Sequence, residues 1–339
     1  MTTSEQWRIV MRVAAVVAPL GALIGMIPGY FLGDGSARSL ITGALIGALV
    51  SGGMVAFEVA WAVDLIPRQW REAPFLVVLV TRSLAWLAII VAGIAVPLLT
   101  VGGVAWSDLA DQGFAWSVVI SFLAALLFNF VAQVNRLLGR GVLVGLILGR
   151  YHRPRQEVRI FLFVDLRSST QIAEQLGNLR YHAFLKRFVD DISTSATRHG
   201  GDVHRFVGDE VVLTWTERKG LENAACVKAV FAMADTIDRS SGDYLADFGA
   251  VPSFWAGLHM GPVVAGEIGT VKHEIVYLGD TPNTAARIEQ ACRDFERTFL
   301  ASADVVEAVT IPDGIAVESL GPIELRGVAT SVELFALDR

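Results

Sequence analysis

At 339 residues, a net charge of -6 and 53% hydrophobic composition, the chain is too apolar for a purely soluble protein and long enough for about two domains. The acidic balance, without any basic patch interleaved with aromatics, argues against a nucleic-acid partner. Cys226 and Cys292 lie far apart with no His or Cys at metal-ligand spacing, which points to a reduced cytosolic domain and not to a disulfide framework.

Apolar residues concentrate in the first 150 positions. Stretches at roughly 9–33, 39–63, 74–101 and 114–135 each reach the roughly 20 residues a helix needs to cross a bilayer core. The first is too long for the apolar region of a signal peptide, and three more spans follow it. Arg8 and Arg12 flank the first span, Arg68 and Arg71 separate the second from the third, and Arg136, Arg140 and Arg150 follow the fourth. The other two loops hold Arg38 with Asp34, and Asp108 with Asp111. This distribution predicts a multi-pass protein of the cell (inner or plasma) membrane, embedded in the lipid bilayer with both termini cytoplasmic.

Within the spans, "GALIG" occurs at 21–25 and again at 43–47. Such small-xxx-small faces let helices approach closely, although Gly and Ala are also simply common in membrane spans. Glu58 and Arg82 are ionisable residues in the second and third spans, read as a structural pair, with a ligand or proton sensor as the alternative. Residues 136–156, "RLLGRGVLVGLILGRYHRPRQ", are basic at both ends and stopped by Pro154. They read as an amphipathic linker that carries movement from a four-helix transmembrane domain (1–135) to a catalytic domain (157–339), or as a passive tether.

From Val158 onward strands alternate with helices, the pattern of an α/β or α+β domain. "VRIFLFVD" predicts a strand buried on both faces. "STQIAEQL" and "YHAFLKRFVDDISTSATRHGG" predict amphipathic helices, and "DVHRFVGDEVVLTW" a hairpin turning at Gly208–Asp209. "LENAACVKAVFAMADTIDR" predicts a long helix and "FWAGLHMGPVVAGEIG" a second hairpin. The strand "HEIVYLG", the helix "TPNTAARIEQACR" and a final strand pair, "VESLGPIELRG" with "SVELFAL", complete the domain.

Asp165 closes an apolar strand and Asp209 sits in a hairpin turn 44 residues later. If the strands are neighbours, both carboxylates reach one point at the sheet edge. Hard oxygen ligands on rigid strands suit Mg²⁺, which leaves its other positions to water and substrate phosphates. Directly after Asp165, Arg167, Ser168, Ser169 and Thr170 open a helix, whose free N–H groups favour an anion. Singly, each Asp is a common turn former or N-cap; together they suggest a triphosphate site. In "LGDTPNTAAR", Asn283 and Arg287 are four apart and share a helix face. An amide and a guanidinium presented together can orient a sugar oxygen and stabilise charge on a transferring phosphate.

"FVDLRSST", "VGDEVVL", "GLHMGPVVAGEIG" and "LGDTPNTAARIE", in this order and at these separations, resemble a class III nucleotidyl cyclase catalytic domain over roughly residues 157–337. The resemblance implies an α+β ferredoxin-like fold after the α-helical four-span transmembrane domain. It also implies conversion of a nucleoside triphosphate to its 3′,5′-cyclic monophosphate, by a homodimer joined through catalytic domains and membrane helices. By that resemblance Asp165 and Asp209, with the Leu166 carbonyl, hold two Mg²⁺ or Mn²⁺ ions per site. Asn283 and Arg287 then come from the other protomer, and Arg326 in "ELRGV" lies near a phosphate-contacting Lys of the family. Arg205 and Val276 stand where adenylate-specific members carry a Lys and an Asp. Val276 cannot accept from an adenine amino group, so a backbone carbonyl or another side chain reads the base. The expected substrate is ATP, with a guanylate cyclase or a catalytically weak receptor-type pseudo-cyclase as alternatives. A diguanylate cyclase is disfavoured because the hairpin reads "VGDEV" in place of the Gly-Gly-Asp/Glu-Glu-Phe turn, and a channel or transporter because the spans are nearly uncharged.

Overall fold

The computed structural model describes residues 3–32, 34–62, 65–67, 70, 73–105, 107, 112–138, 149, 151–270, 273–327 and 330–339. It divides into two compact units, Met1–Leu137 and Leu138–Arg339. Most of the predicted linker falls outside the described residues, as do Arg68, Arg71, Asp108, Asp111, Arg140 and Arg150 of the orientation argument.

The first unit consists of long helices: α1 (Thr3–Leu32), α2 (Ala37–Ala62), α3 (Phe75–Pro97, continued by a π-helical turn, Leu98–Gly102) and α4 (Gln112–Leu138). All four are long and apolar enough to cross a membrane. The two "GALIG" segments face each other. A Cβ on Gly25 would lie 2.1 Å from the Gly43 carbonyl oxygen, and one on Gly21 would lie 2.4 Å from that of Gly47. Glycine there lets the α1 and α2 backbones touch.

Arg82, 2% exposed, donates from Nη2 to both Glu58 oxygens at 2.5 Å. Trp86 Nε1 donates to Glu58 at 3.1 Å, Arg82 Nε donates to Asn129 at 3.3 Å, and the guanidinium carbon lies 4.8 Å from the Trp61 ring centroid. An apolar environment demands this pairing, because an isolated charge there is costly. The polar cluster therefore ties α2, α3 and α4 together.

The second unit is an α+β domain. Its elements are β1 (Arg155–Leu166), α5 (Ser169–Arg198), β2 (Asp202–Val207), β3 (Glu210–Thr216), α6 (Glu217–Leu221), α7 (Ala225–Arg239), α8 (Ser241–Phe248), β4 (Phe254–Ile268), β5 (Glu274–Leu278), α9 (Asp280–Asp294), β6 (Phe299–Ser302), α10 (Ala303–Val306), β7 (Ala316–Ile323) and β8 (Val332–Asp338). The strand order is β2-β3-β1-β4-β6-β8-β7, with β5 pairing β4 off this path. Strand β1 is antiparallel to both β3 and β4, whereas β4 and β6 are parallel.

Alternation along β1 sends Ile160, Leu162 and Val164 into a core with Phe184, Phe188 and Ile192 of α5 and Val227, Val230 and Met233 of α7. Phe161 and Phe163 point the other way, into a cluster with Val212, Val263 and Ala285. Both faces are covered, as the unbroken apolar run predicts.

Three local expectations are revised. The segment 254–269 is not a hairpin but holds one 15-residue strand, Phe254–Ile268. Its Gly-Pro pair stays extended because Gly261 makes room for Thr281 of α9, whose hydroxyl donates to the Pro262 carbonyl at 2.8 Å. The helix expected from Leu221 starts at Ala225, after a break at Asn223 and Ala224 with φ of 53° and 54°. The two helices expected after Asp165 form one long element, α5, interrupted at Gly177 with φ 68° and ψ 162°. The short strand β6 and helix α8 carry no sequence signal recognised above.

Candidate active site

Residues 159, 161, 163 and 165 share one face of β1. Asp165 ends that series, and the register sets it opposite Glu210 of β3 and Trp255 of β4. Gly208, at φ 64°, turns β2 into β3 and places Asp209 immediately before Glu210. The two predicted acids therefore meet at one sheet end, and Glu210 joins them.

Helix α9 lies across this face and is located by two glycines of β4. A Cβ on Gly257 would come within 2.2 Å of the Glu289 backbone nitrogen, and one on Gly261 within 2.7 Å of the Thr281 hydroxyl. Gly257 stands opposite Phe163, near Asp165, whereas Gly261 stands opposite Arg159, toward the far end of β1. The C-terminal part of α9 thus reaches the carboxylates. There Arg293 donates to Asp165, and Glu289 is 1% exposed.

Asn283 is exposed and lies ten residues before Arg293, about 15 Å of helix rise. Arg287 is half-buried on the same face and donates to Gln290 at 2.7 Å. Within one chain, then, Asn283 sits toward the other end of α9 from the carboxylate cluster, while Arg287, at mid-helix, points about 160° away from the buried Glu289.

Burial, and then the neighbouring Asp209, raise the Asp165 carboxyl above the ordinary range, against the pull of Arg293. Burial, followed by Asp165 and Asp209, pushes Glu210 up to about 7. Glu289 is likewise pushed up to about 7 by burial and then Asp165. Tyr181 of α5 is raised by burial and by Asp209. A site that opposes its own carboxylates in this way is short of positive charge.

Among the described residues no group of three His, Cys, Asp or Glu side chains could hold a metal ion. The donor set is narrower: two carboxylates of hard oxygen, one of them engaged by a guanidinium. That chemistry fits a hard divalent cation that keeps several positions for water and phosphate.

Helix α5 begins at Ser169, after Ser168 in the left-handed region at φ 55°, and no side chain caps it. Its first-turn N–H groups, including those of Ser169 and the exposed Thr170, have no intrahelical acceptors. Arg167 is turned elsewhere: its guanidinium lies 3.3 Å from the Trp255 ring centroid and donates to Thr298 at 2.7 Å. Arg326 is exposed in the turn after β7, beside the buried Leu325.

The neighbours of the two base-reading candidates meet. Tyr277, next to Val276, has its ring 5.0 Å from His204, which accepts from Arg205 at 2.9 Å. Burial, then Arg205 and Arg159, lowers His204 to about 4, so its ring is neutral and able to accept. Sequence reasoning overlooked Glu210, Glu289, Arg293, His204 and Tyr277. The i,i+4 spacing of Glu289 and Arg293 was a legible signal.

Strand order, the carboxylate pair and the helix crossing above it define a class III nucleotidyl cyclase domain. Residues 151–339 match the family described as the adenylate and guanylate cyclase catalytic domain, and the chain belongs to it. Adenylate cyclase 2 of Rhizobium meliloti (strain 1021) is 40% identical over 208 residues, 61% of this chain and 57% of that protein. Adenylate cyclase 1 of the same organism is 29% identical over 222 residues, 62% of this chain and 31% of that protein. The matches thus span under two thirds of these relatives' own length. The structure of a bacterial light-regulated adenylyl cyclase shares the fold with a TM-score of 0.57 at 19% identity, covering 68% of this chain and 67% of that one.

Proposed function

We propose that the chain is a membrane-anchored homodimeric adenylate cyclase converting ATP to 3′,5′-cyclic AMP and pyrophosphate. The observation that carries this reading is the division of labour along α9. Its C-terminal end lies at the chain's own carboxylates, whereas Asn283 lies toward the other end and Arg287, at mid-helix, faces away from them, leaving both available to a second protomer's site. A two-fold dimer would then make two equivalent sites.

Asp165 and Asp209, with the Leu166 carbonyl, would hold two Mg²⁺ or Mn²⁺ ions. Such ions, when bound, lower the pKa of an attacking hydroxyl and neutralise phosphate charge. The open N-terminus of α5 receives phosphate oxygens through the N–H groups of Ser169 and Thr170. Arg326 supplies a further positive charge toward the phosphates. From the partner subunit, the Asn283 amide orients the ribose and the Arg287 guanidinium stabilises charge growing on the transferring phosphate. Positioning and charge stabilisation are then the protein's whole contribution.

The purine lies toward Arg205, where the His204–Tyr277 contact fixes the surroundings and Val276 presents no acceptor. Adenylate cyclase names among the relatives support ATP, and the aliphatic Val276 makes GTP the second reading. The four apolar helices (1–135) anchor the protein in the cell membrane with both termini cytoplasmic, and residues 136–156 link them to the catalytic domain (157–339).

Purified full-length protein given ATP or GTP with Mg²⁺ or Mn²⁺ should release cyclic AMP and pyrophosphate, and Asp165→Ala should abolish turnover. Mixing Asp165→Ala chains with Asn283→Ala chains should restore about one working site per heterodimer. Well-formed heterodimers that stay inactive would sink the shared-site arrangement, and cyclic GMP as the main product would overturn the ATP assignment.

A further inference from the structure

The carboxylate cluster contains an ion pair that the proposed chemistry does not use. Arg293 donates from Nη2 to Asp165, and the same nitrogen stands 3.8 Å from Glu289 Oε1, one helical turn earlier. That separation is too long for a hydrogen bond. Glu289 Oε1 is buried and has no hydrogen-bond partner among the described residues. A buried carboxylate oxygen left unmet is unusual and calls for an explanation.

Mobility is distributed unequally between the two side chains. Glu289 is 1% exposed, and its backbone is seated on Gly257, so the carboxylate cannot turn to bulk water. Arg293 is 56% exposed and free to swing. About 1 Å of movement brings its Nη2 from 3.8 Å to hydrogen-bond range of Glu289. A divalent cation on Asp165 and a guanidinium on the same carboxylate repel each other at such distances.

We propose that Arg293 is a resident stand-in for the metal, holding Asp165 in its binding position until a divalent ion arrives, and that Glu289 is the carboxylate to which Arg293 then transfers. Both are positioning residues. Arg293 keeps Asp165 from folding away, and Glu289 gives the displaced guanidinium a place to go, which lessens the competition the ion meets. This rests on the reading of Asp165 as a metal ligand.

Mn²⁺ binding to the full-length protein in nanodiscs, followed by electron paramagnetic resonance without nucleotide, tests the exchange. Arg293→Gln removes the competitor and should tighten Mn²⁺ binding roughly 5- to 10-fold at low salt. Glu289→Gln should weaken it by a similar factor in the wild-type background, because Arg293 stays on Asp165. In the Arg293→Gln background the Glu289→Gln effect should shrink to less than about 2-fold, since nothing remains to be moved. An equal loss in both backgrounds would make Glu289 a direct contributor to the metal and overturn the transfer. Unchanged affinity in Arg293→Gln would overturn the stand-in, and that exposed substitution leaves the fold intact to be measured. If Asp165→Ala binds Mn²⁺ as wild type does, the metal assignment itself has failed; if Asp165 is required but Arg293→Gln changes nothing, only the exchange has failed.

Discussion

Replacing Gly257 by Ala should uncouple activity from folding, because the substitution acts on the seat of α9. The added Cβ would lie 2.2 Å from the Glu289 nitrogen, 2.6 Å from its Cα and 2.8 Å from the Ala285 carbonyl oxygen, all backbone atoms. Ordinary contact begins near 3.4 Å, so the helix must retreat by about 1.2 Å. Overpacking of this kind costs about 1–3 kcal/mol, which a domain of ordinary stability survives. The catalytic cost is larger in proportion. Helix α9 carries Asn283, Arg287 and Glu289, and a displacement near 1 Å can reduce turnover about 100-fold. The assay pairs cyclic nucleotide production with a calorimetric melt of the same preparation. Gly242→Ala serves as the control, since no atom lies within 4 Å of its added methyl; within α8 it should stabilise by roughly 0.5–1 kcal/mol without touching turnover. A Gly257→Ala protein that turns over like wild type would refute the claim that contact with β4 sets the height of α9.

Without divalent ions, the stability of the catalytic unit should fall as pH rises from about 4.5 to about 7, the window set by the ordinary and folded values of Glu210 and Glu289. The folded state binds more protons than the unfolded chain there, so deprotonation favours unfolding. For the buried Glu289 the loss approaches about 3 kcal/mol. Melting in chelator between pH 5 and 8 measures it, and a flat profile would contradict the charge crowding. Arg82→Ala should lower the melting point of the membrane unit, because it removes the counter-charge of Glu58, leaving it only the Trp86 donor, and takes the donor from Asn129 Oδ1; Glu58→Gln, which keeps a polar partner, should cost less, and equal melts would dismiss the pair as structural glue. Tyr151→Phe removes the hydroxyl that accepts from Arg159 at 2.8 Å and should cost about 1–2 kcal/mol in the same calorimeter, with no loss expected only if water replaces it.

What could be read from the chain in advance follows a physical division. The spans, the doubly buried strand β1 and the Gly208–Asp209 turn each write a local pattern, namely length, unbroken apolarity or a Gly-Asp pair between two apolar strands, and the structure sets that glycine at φ 64°. Asp165 and Asp209 were legible because both interrupt such patterns. The Glu58–Arg82 pair was legible for the same reason: a charge among apolar residues requires a partner. The glycines of β4 misled because Gly-Pro reads as a turn, while their task is to admit a helix 20 or more residues distant in sequence. Nothing local in "FWAGLHMGPVVAGEIG" distinguishes a glycine that bends a chain from one that yields space to another segment. The same limit hid Glu210, Glu289 and Arg293 as members of the site, since their significance comes from the register of β1 with β3 and from the crossing of α9. Their charges, unlike that of Asp165, occupy places where a surface strand or helix ordinarily carries charge. Only the assembled sheet converts Glu289 from a solvated helix residue into a buried carboxylate facing Arg293. The consequence is general for this domain: the residues proposed to touch substrate are written in motifs, whereas the residues proposed to govern them come together only in the packing between β4 and α9.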